Sequence, residues 1–336
     1  SKYTGEASIL AIIMMIFGVA IMMLNQLSLT SRKNYTTVTG KSGQISKFNL
    51  GRSGKYIIAI ILIIITFFTS IFPIVSFAFE TFLPNPGDYS FLYTGDPDNL
   101  TTKWWVTNEN ITENGMYGQQ GILYNDMIWH AYKGTIMVSV CCALTAGTIG
   151  TLIGYAVSKN RRSRWANYVN SMAFLPYLMP SIAVGVAFFI LFSNKYVNLF
   201  NTYALLIIVG TVKYIPFASR SSLNSMLQLS GEIEEAAIIQ DIPWTKRMTR
   251  IIIPIQKTSI ISGYLLPFMT CLRELSLFIL LCVQGFILST TLDYFDEMGL
   301  YAFSSGINLI LIVTILICNA LVNKATGASL DKGIGG

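Results

Sequence analysis

The hydrophobic positions of this chain fall in long unbroken blocks, not on every second residue or on one helical stripe. Seven blocks stand out, at residues 9–27, 56–79, 134–157, 168–192, 203–223, 259–282 and 306–322. Each is close to the roughly 20 residues that a helix needs to cross a bilayer. Inside lipid an open strand leaves its backbone groups unsatisfied, so a block of this kind predicts a helix. The pattern therefore predicts an all-α polytopic membrane protein with about seven transmembrane helices. Segments rich in Gly, Ser, Asn, Asp and Lys separate the blocks.

The charges between the blocks alternate with each crossing. Residues 28–55 carry Arg32, Lys33, Lys41, Lys47, Arg52 and Lys55 and no acid. The next connection carries Glu80, Asp88, Asp96, Asp98, Glu109, Glu113 and Asp126 against Lys103 and Lys133. Lys159, Arg161, Arg162 and Arg164 then form a basic knot, and basic residues return between 220 and 257. Lys and Arg accumulate on the cytoplasmic side of membranes. The first block accordingly runs from outside to inside, and the C-terminus is cytoplasmic. This gives a leading helix (1–27), a basic cytoplasmic linker (28–54), a six-span domain (55–324) and a cytoplasmic tail (325–336). Within the six-span domain, 80–132 is an external loop and 230–257 a cytoplasmic one. The external loop holds Trp104 and Trp105 and reads as a small cap or a contact surface for an outside partner.

Composition adds little except exclusions. The 336 residues are 53% hydrophobic and 12% charged, where soluble domains carry about a quarter charged residues. The net charge of +6 follows from topology and does not point to nucleic acid. Cys141, Cys142, Cys271, Cys282 and Cys318 all lie in apolar blocks without metal-ligand spacing and read as small hydrophobes. His130, the one histidine, sits beside Trp129 and Tyr132 at a block edge, as an interfacial aromatic belt would place it. With no nucleophile triad, metal cluster or phosphate-binding glycine loop, the sequence proposes no catalytic residue, resident metal or ATP site.

The cytoplasmic segment 231–254 reads GEIEEAAIIQDIPWTKRMTRIIIP. Ser230 is placed to cap a helix, with Glu232, Glu234 and Glu235 in the first turn where the helix dipole favours acids. Pro243 disfavours helix at Ile242, so this helix is expected to end near Asp241. A second helix is expected over 244–253, until Pro254. Ile233, Ala236, Ala237 and Ile238 are available for packing. On physical grounds the pair is either a docking element or an interfacial loop that merely joins two spans.

This segment resembles the EAA loop of binding-protein-dependent ABC importer permeases of type I. That loop reads E-A-A, three residues, G, nine residues, I, one residue, L-P. Glu235, Ala236 and Ala237 match its start and Ile251 its isoleucine, while Ile253 and Pro254 replace Leu-Pro. Asp241 stands at the glycine, which would end the helix in a left-handed turn; Asp tolerates that conformation better than most residues. The resemblance extends to Ile-Pro-Phe-Ala-Ser-Arg at 215–220, to Phe-Leu-Pro-Tyr-Leu-Met-Pro at 174–180 followed by Gly185, and to Arg-Glu-Leu-Ser at 273–276. Tyr-Thr-Thr-Val-Thr-Gly-Lys at 35–41 is similar to the mid-chain linker of iron(III)-type permeases, which fuse two such units in one polypeptide. By that likeness the chain is a C-terminal unit plus the last span of a preceding one; the alternative is an intact subunit with an extra leading span.

The resemblance implies a fold in which six spans form the type I permease core, in a bacterial cytoplasmic membrane. It also implies partners: two ATP-binding subunits carrying ATP and Mg, a second permease unit or chain, and an extracytoplasmic substrate-binding protein. Glu234, Glu235, Ala236, Ala237, Asp241, Pro243, Ile251 and Pro254 become the ATPase-coupling residues. Iron(III) is the expected cargo, with thiamine, phosphonate, sulfate or polyamine as alternatives. Lys213, Arg273 and Glu274 fall inside spans, where charge is costly. They line the translocation pathway, or else form an ion pair of Lys213 or Arg273 with Glu274. Pro176 and Pro180 kink the pathway span or are ordinary membrane-helix prolines. A rival reading is a secondary transporter or channel without an ATPase, driven through the intramembrane charges.

Overall fold

A computed structural model describes residues 51–94, 100–111, 118–194 and 196–326, together with Ile9, Ile13, Ile16, Phe17 and Ala20. The rest of the leading helix, most of the basic linker, the 35–41 run and the tail from 327 lie outside the described residues.

Among the described residues helix is the only extended regular structure, beside two isolated bridges. The order is α1 (Gly51–Thr66), α2 (Phe72–Glu80), α3 (Phe91–Thr94), α4 (Lys103–Val106), α5 (Asp126–Lys159), α6 (Arg164–Leu178), α7 (Ser181–Phe192) and α8 (Tyr203–Gln228). Then come α9 (Gly231–Ile239), α10 (Trp244–Arg247), α11 (Ile253–Ile255), α12 (Lys257–Leu272), α13 (Leu288–Glu297) and α14 (Tyr301–Thr326). Four stretches are long and apolar enough to cross a membrane: Ser53–Glu80, Asp126–Lys159, Tyr203–Gln228 and Tyr301–Lys324. Two bent pairs, α6 with α7 and Trp244–Ile255 with α12, raise the number to six if each is one span.

The centre is the pair α5 and α8, with α12 packed on both. Small residues bring them together. A Cβ placed on Gly150 would lie 2.5 Å from the Ala218 Cβ, and one on Gly154 would lie 2.7 Å from the Leu223 amide nitrogen. The facing side of α8 is Ala218, Ser219, Ser221, Ser222 and Ser225, all buried. Helices in lipid gain no hydrophobic drive toward one another, so close backbone approach supplies the attraction. The α1–α2 stretch, interrupted by a π turn at Phe67–Ile71, keeps its isoleucines and phenylalanines on the outside, as a lipid-facing span requires.

Two expected spans are not continuous helices. The block at 168–192 breaks at Met179 and Pro180, and α6 and α7 meet at 100°. Pro180 disfavours helical geometry at Met179, which is extended (φ −82°, ψ 134°). The block at 259–282 is helical only to Leu272; beyond it, 273–287 folds as turns although its residues are apolar. The Glu274 carboxylate accepts from the Leu277 amide at 3.2 Å, which competes with helix continuation. The second helix of the 231–254 segment also differs from expectation: it runs on through a π turn at Met248–Ile252 and ends at Ile255, past Pro254. The π turn shifts the hydrogen-bond register, so the missing Pro254 N–H does not stop the helix there.

The connection at 80–132 has a core of its own. Trp104 packs against Phe303 and Phe303 against Phe295, with ring centroids at 5.9 and 5.2 Å. The Trp104 indole donates to the Leu83 carbonyl at 2.7 Å. Ile122, Ile128, Leu288 and Ile307 complete this cluster, so the loop rests on α13 and α14.

Candidate functional site

The site residues fall into two groups, one at the end of α8 and one halfway along it.

The first is built on α9. Ser230 caps the helix, its hydroxyl accepting from the Glu232 amide. The C-terminus closes in a paired-bond cap: the Asp241 amide donates to the Ile238 carbonyl at 2.9 Å and the Ile242 amide to the Ala237 carbonyl at 3.1 Å. That pattern requires a left-handed residue one position past the helix, and Asp241 takes it with φ 53°. Pro243 follows as the first residue that cannot continue the helix, and α10 starts behind it. Ile251 lies in the π turn and Pro254 in α11.

Of the two adjacent glutamates one is turned inward and the other outward. Glu234 and Ala237 are the buried residues of α9. Glu235 and Ala236 are exposed, as are Ile233, Ile238 and Ile239. The helix is thus inverted relative to a water-soluble one, with an acid inside and isoleucines outside. The Tyr155 hydroxyl donates to Glu234 Oε1, and the Lys159 ammonium pairs with Oε2. Burial alone pushes the Glu234 carboxyl up. The hydrogen bonds from Lys159 and Tyr155, with the charges of Lys159 and Arg247, outweigh burial and hold it below the ordinary 4.5. The Trp244 ring lies 6.2 Å from that of Tyr155, and Arg247 Nη1 donates to the Ile242 carbonyl at 3.1 Å. Tyr155, Lys159 and Arg247 are absent from the sequence-derived set. Lys159 was legible only as part of the basic knot, which topology already explains.

The second group surrounds Lys213. Pro180 has no N–H, so the Pro176 carbonyl loses the donor that a helix would supply from four residues ahead. The Met179 carbonyl lies just past the same break. Lys213, itself buried, donates to both, at 3.0 Å to Pro176 and 2.6 Å to Met179. An orphan carbonyl away from water is expensive, and the ammonium satisfies two of them. Next to it, the Tyr214 hydroxyl donates to Glu274 Oε2 at 3.1 Å. The expected ion pair is therefore absent: neither Lys213 nor Arg273 lies within pairing distance of Glu274 among the described residues. Backbone carbonyls hold Lys213, while a phenol and an amide hold Glu274. Arg273 stands apart from both, exposed at the end of α12. A Cβ on Gly185 would lie 2.7 Å from the Leu277 carbonyl, so α7 rests directly on the 273–287 turns.

Among the described residues no group of three or more His, Cys, Asp or Glu is placed to hold a metal ion.

Comparison with known proteins gives a consistent picture. Residues 146–328, more than half of the chain, match the family model described as the binding-protein-dependent transport system inner membrane component. The ferric transport system permease protein FbpB of Actinobacillus pleuropneumoniae is 22% identical over 278 residues, which is 82% of this chain and 37% of that one. The putrescine transport system permease protein PotI of Escherichia coli is 26% identical over 204 residues, 58% of this chain and 68% of that one. The chain spans about two fifths of the length of the ferric relatives it matches. Among solved structures, a bacterial ABC transporter that imports the acidic polysaccharide alginate superposes with a TM-score of 0.59 at 16% identity, over 82% of this chain and 98% of its own. At that identity the likeness concerns the fold.

Proposed function

Because this chain belongs to the family of binding-protein-dependent transport system inner membrane components, we propose that it is the membrane permease of an ATP-driven importer. It takes cargo from an extracytoplasmic binding protein and passes it into a bacterial cytoplasm. The observation that carries the proposal is the outward face of α9. A short helix at the mouth of the bundle presents Glu235, Ala236, Ile238 and Ile239 to the outside and keeps Glu234 inside. Exposed isoleucines at a helix end suit a cleft in a second protein. Glu235 is free to accept a charge-assisted hydrogen bond there. Asp241 and Pro243 fix where the docking helix stops, and Ile251 and Pro254 lead the chain back into α12.

In this reading two ATP-binding subunits, with ATP and Mg, supply the power, and a second permease unit completes the pathway. The corner at Pro176 and Pro180, clamped by Lys213, and the turn bearing Arg273 and Glu274 line that pathway. The C-terminus is cytoplasmic. Iron(III) is the cargo we favour, supported by the ferric relative and by the linker run at 35–41. The putrescine relative supports a polyamine instead.

Native mass spectrometry of the complex, purified gently from its membrane, tests the proposal. A pair of ATP-binding subunits bound to this chain is expected. Purification without any ATPase overturns the reading in favour of an ion-driven carrier. Uptake of radioactive ferric iron against radioactive putrescine by the reconstituted complex decides the cargo.

A further inference from the structure

The docking helix has little to hold it in place. Nine residues are too few for a helix to be stable in water by itself. Its inward face consists of Ala237, which offers one methyl group, and Glu234. Apolar burial therefore cannot set the direction in which α9 points. The Glu234 carboxylate can, because both oxygens are committed to the last turns of α5. Oε1 takes the Tyr155 hydroxyl, and Oε2 takes the Lys159 ammonium. Further contacts join the cluster: the Lys159 ammonium also lies 5.9 Å from the Tyr155 ring centroid, and the Trp244 ring of α10 lies 6.2 Å from that ring. Arg247 ties α10 back to the turn through the Ile242 carbonyl. The α5 helix then runs unbroken for 34 residues, from Lys159 to Asp126 beside the external loop.

We propose that Glu234 is a positioning residue that latches α9 to the cytoplasmic end of α5, so that docking helix and central span move as one body. The proposal rests on the importer reading above and assigns adjacent glutamates different work. Glu235 faces the ATPase, and Glu234 passes the displacement inward. A buried carboxylate makes a stiff joint because breaking it strands a charge away from water.

The test uses the complete complex in nanodiscs, with ATPase subunits and binding protein. Spin labels at Gln240→Cys, the exposed cap residue behind α9, and Arg162→Cys, in the turn after α5, in a background whose five native cysteines are replaced, report the distance between the two elements. In the wild type one narrow distribution is expected, unchanged by ATP with vanadate. In Glu234→Ala it broadens or splits when nucleotide binds. ATP hydrolysis persists in that variant, while ferric iron uptake per ATP falls at least tenfold. The charge swap Glu234→Lys with Lys159→Glu recovers a third or more of the coupling. An equally narrow distribution in Glu234→Ala overturns the proposal. So does release of the ATPase from that variant, which would make Glu234 a docking contact. A parallel fall of hydrolysis and uptake that the swap does not repair reduces Glu234 to a folding role and also overturns it. Absence of an ATPase from the wild-type complex defeats the importer reading instead, and the spin-label distances still report on the latch.

Discussion

Asp241 shows how one residue can end an element at a conformational cost. A left-handed backbone costs an ordinary L-residue about 1–2 kcal/mol, and Asp somewhat less. Asp241→Gly is expected to change stability by less than about 1 kcal/mol, because relief of strain is offset by the freer unfolded chain. Asp241→Val is expected to cost about 1–2 kcal/mol, read as faster hydrogen exchange of the amides around Ile242. Glu234 gives a pH signature. Its carboxyl has a lower pKa folded than unfolded, so the folded state binds fewer protons over the interval between the two. The latch therefore contributes fully above about 4.5 and is lost as pH falls through the lowered value. In a variant retaining only Trp244 among its tryptophans, emission should stay constant down to pH 4.5 and shift below it, and Glu234→Gln should abolish the shift. At this scale the sequence was legible where a motif dictates backbone. The left-handed turn at Asp241 follows from its place in the EAA pattern. The separate roles of Glu234 and Glu235 do not. Neighbours on a helix face about 100° apart, and which one turns inward depends on Lys159, 75 positions earlier.

Elements make their own demands. The close approach of α5 and α8 depends on Gly150 and Gly154, where any side chain collides with backbone. Gly150→Leu is expected to cost about 1–3 kcal/mol or more through overpacking, measured as a lower unfolding temperature in detergent. The apolar blocks that became α5, α8 and α14 were plain in the sequence, because length and hydrophobicity suffice for a straight span. The 168–192 block hid a right-angled corner. Its prolines signalled a break, but the bend needs Lys213 to satisfy the carbonyls it frees, and acceptors of that kind leave no mark in a sequence. For the same reason the pairing of Lys213 with Glu274, which charge alone suggests, does not occur. The 273–287 stretch was equally opaque: its composition is that of a span, yet its amides turn to the side chains of Glu274, Asn201 and Thr291.

The whole molecule places α9 and the external loop at opposite ends of the same bundle. With the five native cysteines replaced, a cysteine at Asn110 should react with an impermeant maleimide from outside intact cells. One at Asp241 should react only after the membrane is opened. The reverse result would invert the topology read from the charges. The long-range organisation also links distant positions in a way that no single region reveals. Lys213 is needed because residue 180 lacks an N–H. Lys213→Met should therefore cost about 1–3 kcal/mol for each carbonyl it strands, and Pro180→Ala should repair part of that loss by restoring a donor for Pro176. Two sites 33 positions apart thus share one inheritance. A descendant that loses the proline needs the lysine for one carbonyl instead of two, whereas one that loses the lysine first must pass through a more damaged intermediate. The order in which the two positions can change is set by the missing hydrogen of a proline ring.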